Sequence, residues 1–96
     1  MNYQVTILYA NKDSKFLFNG DKLPLSHQIV SDYTLVLQRN TPTKSTPEEW
    51  FGHMNQEDLI GQDIARKVGH TSMSVGDIVI INSHRYICQS AGWKEF

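Results

Sequence analysis

The chain reads as one α+β domain spanning residues 1–96. We expect a curved antiparallel sheet of five to six strands, packed by one or two helices between strands three and four. Three observations predict this. Tyr3, Val5, Ile7 and Tyr9 alternate with Gln4, Thr6 and Leu8, the period of a strand with one buried face. Thr46-Pro47-Glu48-Glu49 spells a helix start, with Thr46 as N-cap, Pro47 at the first helical position and Glu49 completing a capping box. Gly76-Asp77 opens directly into Ile78-Val79-Ile80-Ile81, a continuous apolar run that suits a strand covered on both faces. Strands, then helices, then strands is the order of an antiparallel α+β fold.

The elements follow in turn. After the first strand, Asn11-Lys12-Asp13-Ser14 has the composition of a turn. Phe16-Leu17-Phe18 is then expected as a short returning strand closed by Asn19-Gly20-Asp21. Leu23-Pro24-Leu25 reads as an irregular connection, because Pro24 removes a backbone donor. Tyr33 to Arg39 is the third expected strand, and Thr41 to Ser45 a polar link. The helix begun at Thr46 presents Trp50, Phe51 and Met54 on one face. Asn55 to Asp58 is expected to interrupt it. Ile60, Ile64 and Val68, four apart, suggest a second short helix, weakened by Gly61 and ended by Gly69 in the left-handed region. Past Ile81, Asn82-Ser83-His84 turns the chain, Arg85 to Gln89 returns it, Ala91-Gly92 breaks it, and Trp93 to Phe96 forms a last short strand.

Composition narrows the function classes. Nine Lys and Arg stand against ten Asp and Glu, for a net charge of −1. Non-specific nucleic-acid binding draws on clustered cations, and no cluster appears in the sequence, although Lys12, Lys15, Lys22 and Arg39 could form a local cationic face. Cys88 is the sole cysteine, which excludes an intrachain disulfide and a cysteine-based zinc site. No secretory leader pattern and no apolar run of membrane-spanning length appears. The expectation is a soluble cytoplasmic protein that makes no membrane contact.

Several side chains could carry chemistry. Cys88 could act as a nucleophile with His84 or His70 as base, but reads more simply as a small buried hydrophobe within a strand. His27, His53, His70 and His84 are scattered and lack metal-ligand spacing, so neither metal nor cofactor is expected. Asp77 reads as an acceptor for backbone N–H groups of its own turn, and Gly76 as a residue at positive φ or at a close backbone approach. Thr71, Ser72 and Ser74 could bind an anion or shape the connection. A hydrolase reading would use His70, Ser72, Ser74 or Asp77 in a pocket at the helix-to-strand junction. Trp93, beside a glycine near the chain end, is a candidate interface anchor. The candidate binding residues are thus His70, Thr71, Ser72, Ser74, Asp77 and Trp93, with none assigned to catalysis.

The segments Tyr3-Gln4-Val5-Thr6-Ile7, Phe16-Leu17-Phe18, Tyr33-Thr34-Leu35-Val36 and His53-Met54-Asn55 are followed by the block Gly69 to Asp77 and the ending Tyr86 to Trp93. Together they resemble small uncharacterised proteins of phages, plasmids and conjugative elements, the YodL-like group. Gly69, Ser72, Ser74, Val75 and Asp77 are matched to its Gly-x-Ser-x-Ser-Val-x-Asp block, and Gly92-Trp93 to its closing Gly-aromatic pair. Residues 56–68 are longer than the equivalent connection, and Tyr86 to Gln89 lacks the acidic residue many members carry. The resemblance implies a mobile-element accessory protein acting in a bacterial cytoplasm, and no catalytic residues. The leading expectation is a non-catalytic protein that binds a host or phage protein, with counter-defence as a purpose such binding could serve. The alternative is a small nucleic-acid-binding module.

Overall fold

β1 (Tyr3–Ala10) lies inside a five-stranded sheet of order β2-β1-β3-β4-β5, with β2 (Tyr33–Thr41), β3 (Ile78–Ile81), β4 (His84–Gln89) and β5 (Gly92–Glu95). Every neighbouring pair is antiparallel. Three helices complete the chain: α1 (Ser26–Asp32), α2 (Pro47–Met54) and α3 (Leu59–Val68). The computed structural model describes residues 2–42, 44–55, 59–68 and 72–96.

The sheet carries an apolar cluster on each face because its inner strands are apolar at both parities. Val5 and Ile7 of β1 join Val79 and Ile81 of β3 on one side, where Trp50 and Met54 of α2, Ile64 of α3 and Met73 cover them. Ile78 and Ile87 face the other way, against Ala10, Phe16 and Tyr33. Ile78, Val79 and Ile87 are fully buried. The Gly-Asp-initiated strand is therefore covered on both faces as expected, and Trp50 and Met54 meet the strands expected to receive them.

Local chemistry sets the helices. The Thr46 hydroxyl accepts the Glu49 N–H at 3.3 Å, with Pro47 opening α2 and two acids in its first turn. The indole N–H of Trp50 reaches back to Ser45 Oγ at 3.0 Å. The apolar stripe expected for α3 is met in part. Ile60 is 51% exposed, whereas Ile64 is buried and Gly61 turns inward. A β-carbon at Gly61 would overlap the His53 carbonyl. The glycine that weakens the helix in isolation is thus what lets α3 approach α2 so closely.

Other expectations are corrected. Phe16-Leu17-Phe18 is a run of turns rather than a strand. Ser14 Oγ accepts the Phe16 N–H and Phe16 O accepts the Asn19 N–H. Phe16 is buried while Phe18, at φ 58, is 70% exposed. With that strand gone, α2 and α3 lie between the second and third strands, not between the third and fourth. The sheet has five strands. Residues 26–32 form a helix where none was expected. Asn11 closes its end, since the Asn11 N–H donates to Asp32 O at 2.8 Å, and the Gln28 side chain accepts the Leu25 N–H at its start. The last strand begins at Gly92, one residue early, because Gly92 pairs with Gln89 at φ 115. α2 ends at Met54 with Asn55 as its C-cap, where the break over Asn55 to Asp58 is expected to begin; residues 56–58 and the Gly69 stop lie outside the described residues.

Trp50→Ala should cost about 3–5 kcal/mol, the range for truncating a buried large aromatic. Ile80→Asp, which sets a carboxylate against the second cluster, should be comparably severe. Thermal melts of both variants check this, and an unchanged midpoint for either would refute the core assignment.

Candidate functional site

Residues 74–77 form the corner at which most of the chain converges. Asp77 N donates to Ser74 O at 3.1 Å, closing a turn. Gly76 takes φ 95, and a β-carbon there would overlap the Phe16 carbonyl. Both reasons for a glycine anticipated at this position therefore apply. The Gly76 N–H donates to Cys88 O at 2.9 Å, and the Cys88 N–H returns a bond to Asp77 O at the same distance. The Tyr33 hydroxyl donates to Gly76 O at 2.6 Å.

The Asp77 side chain completes this corner. Oδ1 accepts the Ala10 N–H at 2.9 Å, fastening the end of β1. Oδ2 accepts the Ser74 N–H at 2.9 Å and the Ser74 hydroxyl at 3.5 Å. The carboxylate thus serves backbone N–H groups, as its sequence context suggests, and one of the two comes from a strand 67 residues away. Asp77 is 3% exposed. Burial pushes its carboxyl up to about 6, outweighing the accepted bonds from Ser74 and Ala10, which favour the ionised form. Burial, and next the Asp77 charge, also push the phenols of Tyr9 and Tyr33 upward.

A shallow cleft of about 240 Å³ opens beside this corner, lined by Ser72, Ser74 and Asp77 together with Tyr9, Leu17 and Phe18. Three of the six candidate binding residues therefore share one site, in the pocket that a hydrolase reading would need. His70 and Thr71 lie outside the described residues. Ser72 is exposed and Ser74 half-buried. Leu17 and Phe18 carried no signal for this site in the sequence, because they reach the cleft only through the turn-rich segment after β1, and Tyr9, near the end of β1, reads there only as a strand position.

Trp93 lines a different cleft, of about 200 Å³, with Glu48, Phe51, Cys88 and Gln89. Its indole N–H donates to the Glu48 carboxylate at 3.1 Å, and its ring meets Phe51 edge-on at 6.3 Å. It braces β5 against α2 and is only partly exposed. Cys88 is buried, as the structural reading of it held, and burial pushes its thiol up to about 11. That disfavours the thiolate a nucleophile needs. His84 Nδ1 pairs with Glu95 Oε2 at 3.0 Å across the β4–β5 hairpin, with both side chains exposed.

No family model matches this chain, and neither a curated protein nor a solved structure matches it. No helix among the described residues is long and apolar enough to cross a membrane.

Asp77→Ala should destabilise the fold by roughly 2–4 kcal/mol, because it strands the buried N–H groups of Ala10 and Ser74. The pH dependence has a definite sign. The folded protein holds the Asp77 proton more tightly than the unfolded chain, whose value is near 3.8. The contribution to stability is complete below that value and is lost as pH rises through about 6. Melting wild type and Asp77→Asn across this window should show a wild-type midpoint that falls with rising pH relative to the variant. A constant difference between the two would overturn the assignment.

Proposed function

We propose that this chain is a non-catalytic accessory protein that acts by binding another protein. One observation carries the reading: an open edge strand continues directly, in sequence, from a stretch of chain rich in exposed apolar side chains. β2 is a terminal strand of nine residues with Arg39 as its one charged side chain. Phe18, Leu23, Leu25, Val30 and Leu35, all within residues 18–35, are five of the seven large apolar side chains exposed among the described residues. α1 contributes no buried residue, and Val30 on it is 84% exposed. A helix that sets so little into its own core, next to a strand with one open edge, suits a partner better than it suits solvent.

The groups with chemical potential support a non-catalytic role. Asp77 is engaged by backbone donors, and the Cys88 thiol is shifted away from its reactive form. The YodL-like resemblance of the Gly69 to Asp77 block supports a phage or mobile-element setting. There the partner would be a host or phage protein, and counter-defence the purpose. The near balance of acidic and basic residues favours a protein partner over general nucleic-acid binding.

Capture from bacterial lysate with wild type and with a Val30→Asp/Leu35→Asp variant tests the proposal. The variant changes two exposed positions and should melt like wild type. Specific capture by wild type that disappears in the variant is the expected result. Identical capture by both, or none by wild type, would exclude this surface as the binding site.

A further inference from the structure

At the end of the sheet opposite Asp77 lies a pocket of about 320 Å³ whose lining has a different character. Tyr3 from the start of β1 and Tyr86 from β4 supply two half-buried aromatic side chains, and Ile81 at the end of β3 is buried between those strands in the sheet order. Lys44 and Ser45 reach it from the segment that leads into α2, and Asn82 and His84 from the β3–β4 turn. The volume sits at the small end of ligand pockets, and the lining is as polar as it is apolar.

The hydrogen bonds within this lining show what it has left to offer. Ser45 Oγ accepts the Trp50 indole N–H and so retains its own proton to donate. Asn82 Oδ1 accepts the Gln4 N–H at 3.0 Å, which commits the carbonyl end of that amide to the protein and leaves its NH₂ end as the donor. His84 Nδ1 is held by Glu95, which leaves Nε2 as the ring nitrogen for a ligand. The charge at the pocket is the Lys44 ammonium, opposed by Glu95 behind the His84 ring. Donors and a single ammonium therefore predominate beside two tyrosines. We infer that this pocket binds a nucleoside monophosphate, its base against Tyr3 and Tyr86 and its phosphate at Lys44 and Ser45. Aromatic stacking is tolerant of base identity, and a lysine with a hydroxyl donor is a common phosphate partner. A free nucleotide and a nucleotide unit of a single strand share this chemistry.

Trp50 provides the readout, because its indole N–H is bonded to a pocket residue. The test titrates the ¹⁵N-labelled full chain with adenosine 5′-monophosphate and follows the Trp50 indole cross-peak, identified as the one that persists in Trp93→Phe. A saturable shift is expected, with adenosine alone and inorganic phosphate alone each binding more weakly. Lys44→Ala, at an exposed position, should leave the ligand-free spectrum unchanged and weaken binding by about tenfold, as for loss of a charged hydrogen bond. A short single-stranded oligonucleotide distinguishes the sources. Tighter, salt-sensitive binding than the mononucleotide points to a strand, and equal or weaker binding points to the free nucleotide. The inference is overturned if no saturable shift occurs, if Lys44→Ala binds as tightly as wild type, or if phosphate alone binds as tightly as the mononucleotide.

Discussion

The fold depends on one buried carboxylate. Asp77 sits where β3 begins, and its oxygens hold the end of β1 and the turn before β3 at once. Its neighbour Gly76 takes the Tyr33 hydroxyl on its carbonyl and gives its N–H to β4. These contacts tie four strands and the Phe16 segment to two consecutive residues. Small domains have little apolar area to bury, so a polar knot that satisfies several otherwise stranded N–H groups carries unusual weight. The cost is visible in the upward-shifted pKa of Asp77, which records how poorly water reaches it.

That knot explains why the cleft beside it has so much hydroxyl and carboxylate chemistry and so little of it available. Ser74 and Asp77 answer each other and the backbone. Five of the seven large apolar side chains exposed among the described residues lie between Phe18 and Leu35, with Phe18 on the wall of that same cleft. The architecture divides its labour: polar groups hold the strands at one corner, while Val30 on α1 and Leu35 on β2 face outward without a place in either core. The Tyr3–Lys44 pocket occupies the far end of the same strands, so the knot and the pocket do not compete for residues.

Local signals in the sequence were legible where a few adjacent residues settle the structure. The Thr46-Pro47 start, the two-sided Ile78–Ile81 strand, the Gly76 conformation and the backbone role of Asp77 all belong to this kind. Features decided at long range were not. Phe16 and Phe18 look like alternating strand positions, yet Phe16 is drawn inward by Tyr33, whose ring lies 5.7 Å away, and by the close passage of Gly76. Residues 26–32 have neither an apolar stripe nor a capping side chain of the preferred kind, so their helix is set by Asn11 and Gln28 rather than by periodicity. In α3, Gly61 rather than Ile60 faces α2, because backbone proximity decided the rotation of the helix. The candidate site was half legible for the same reason. Its polar members are adjacent in sequence, while its apolar wall comes from a segment more than fifty positions earlier.

The pairing of β1 with β2 is out of step at one place: Ile7 meets Leu37 and Leu8 meets Leu35, leaving Val36 as an extra residue. Such an irregularity bends a strand and increases its twist. A ribbon approaching the outer rim of β2 therefore finds two brief in-phase stretches instead of one long ruler. Copy-upon-copy stacking is thereby interrupted at every layer. The chain can keep an open margin while withholding a template for fibre growth.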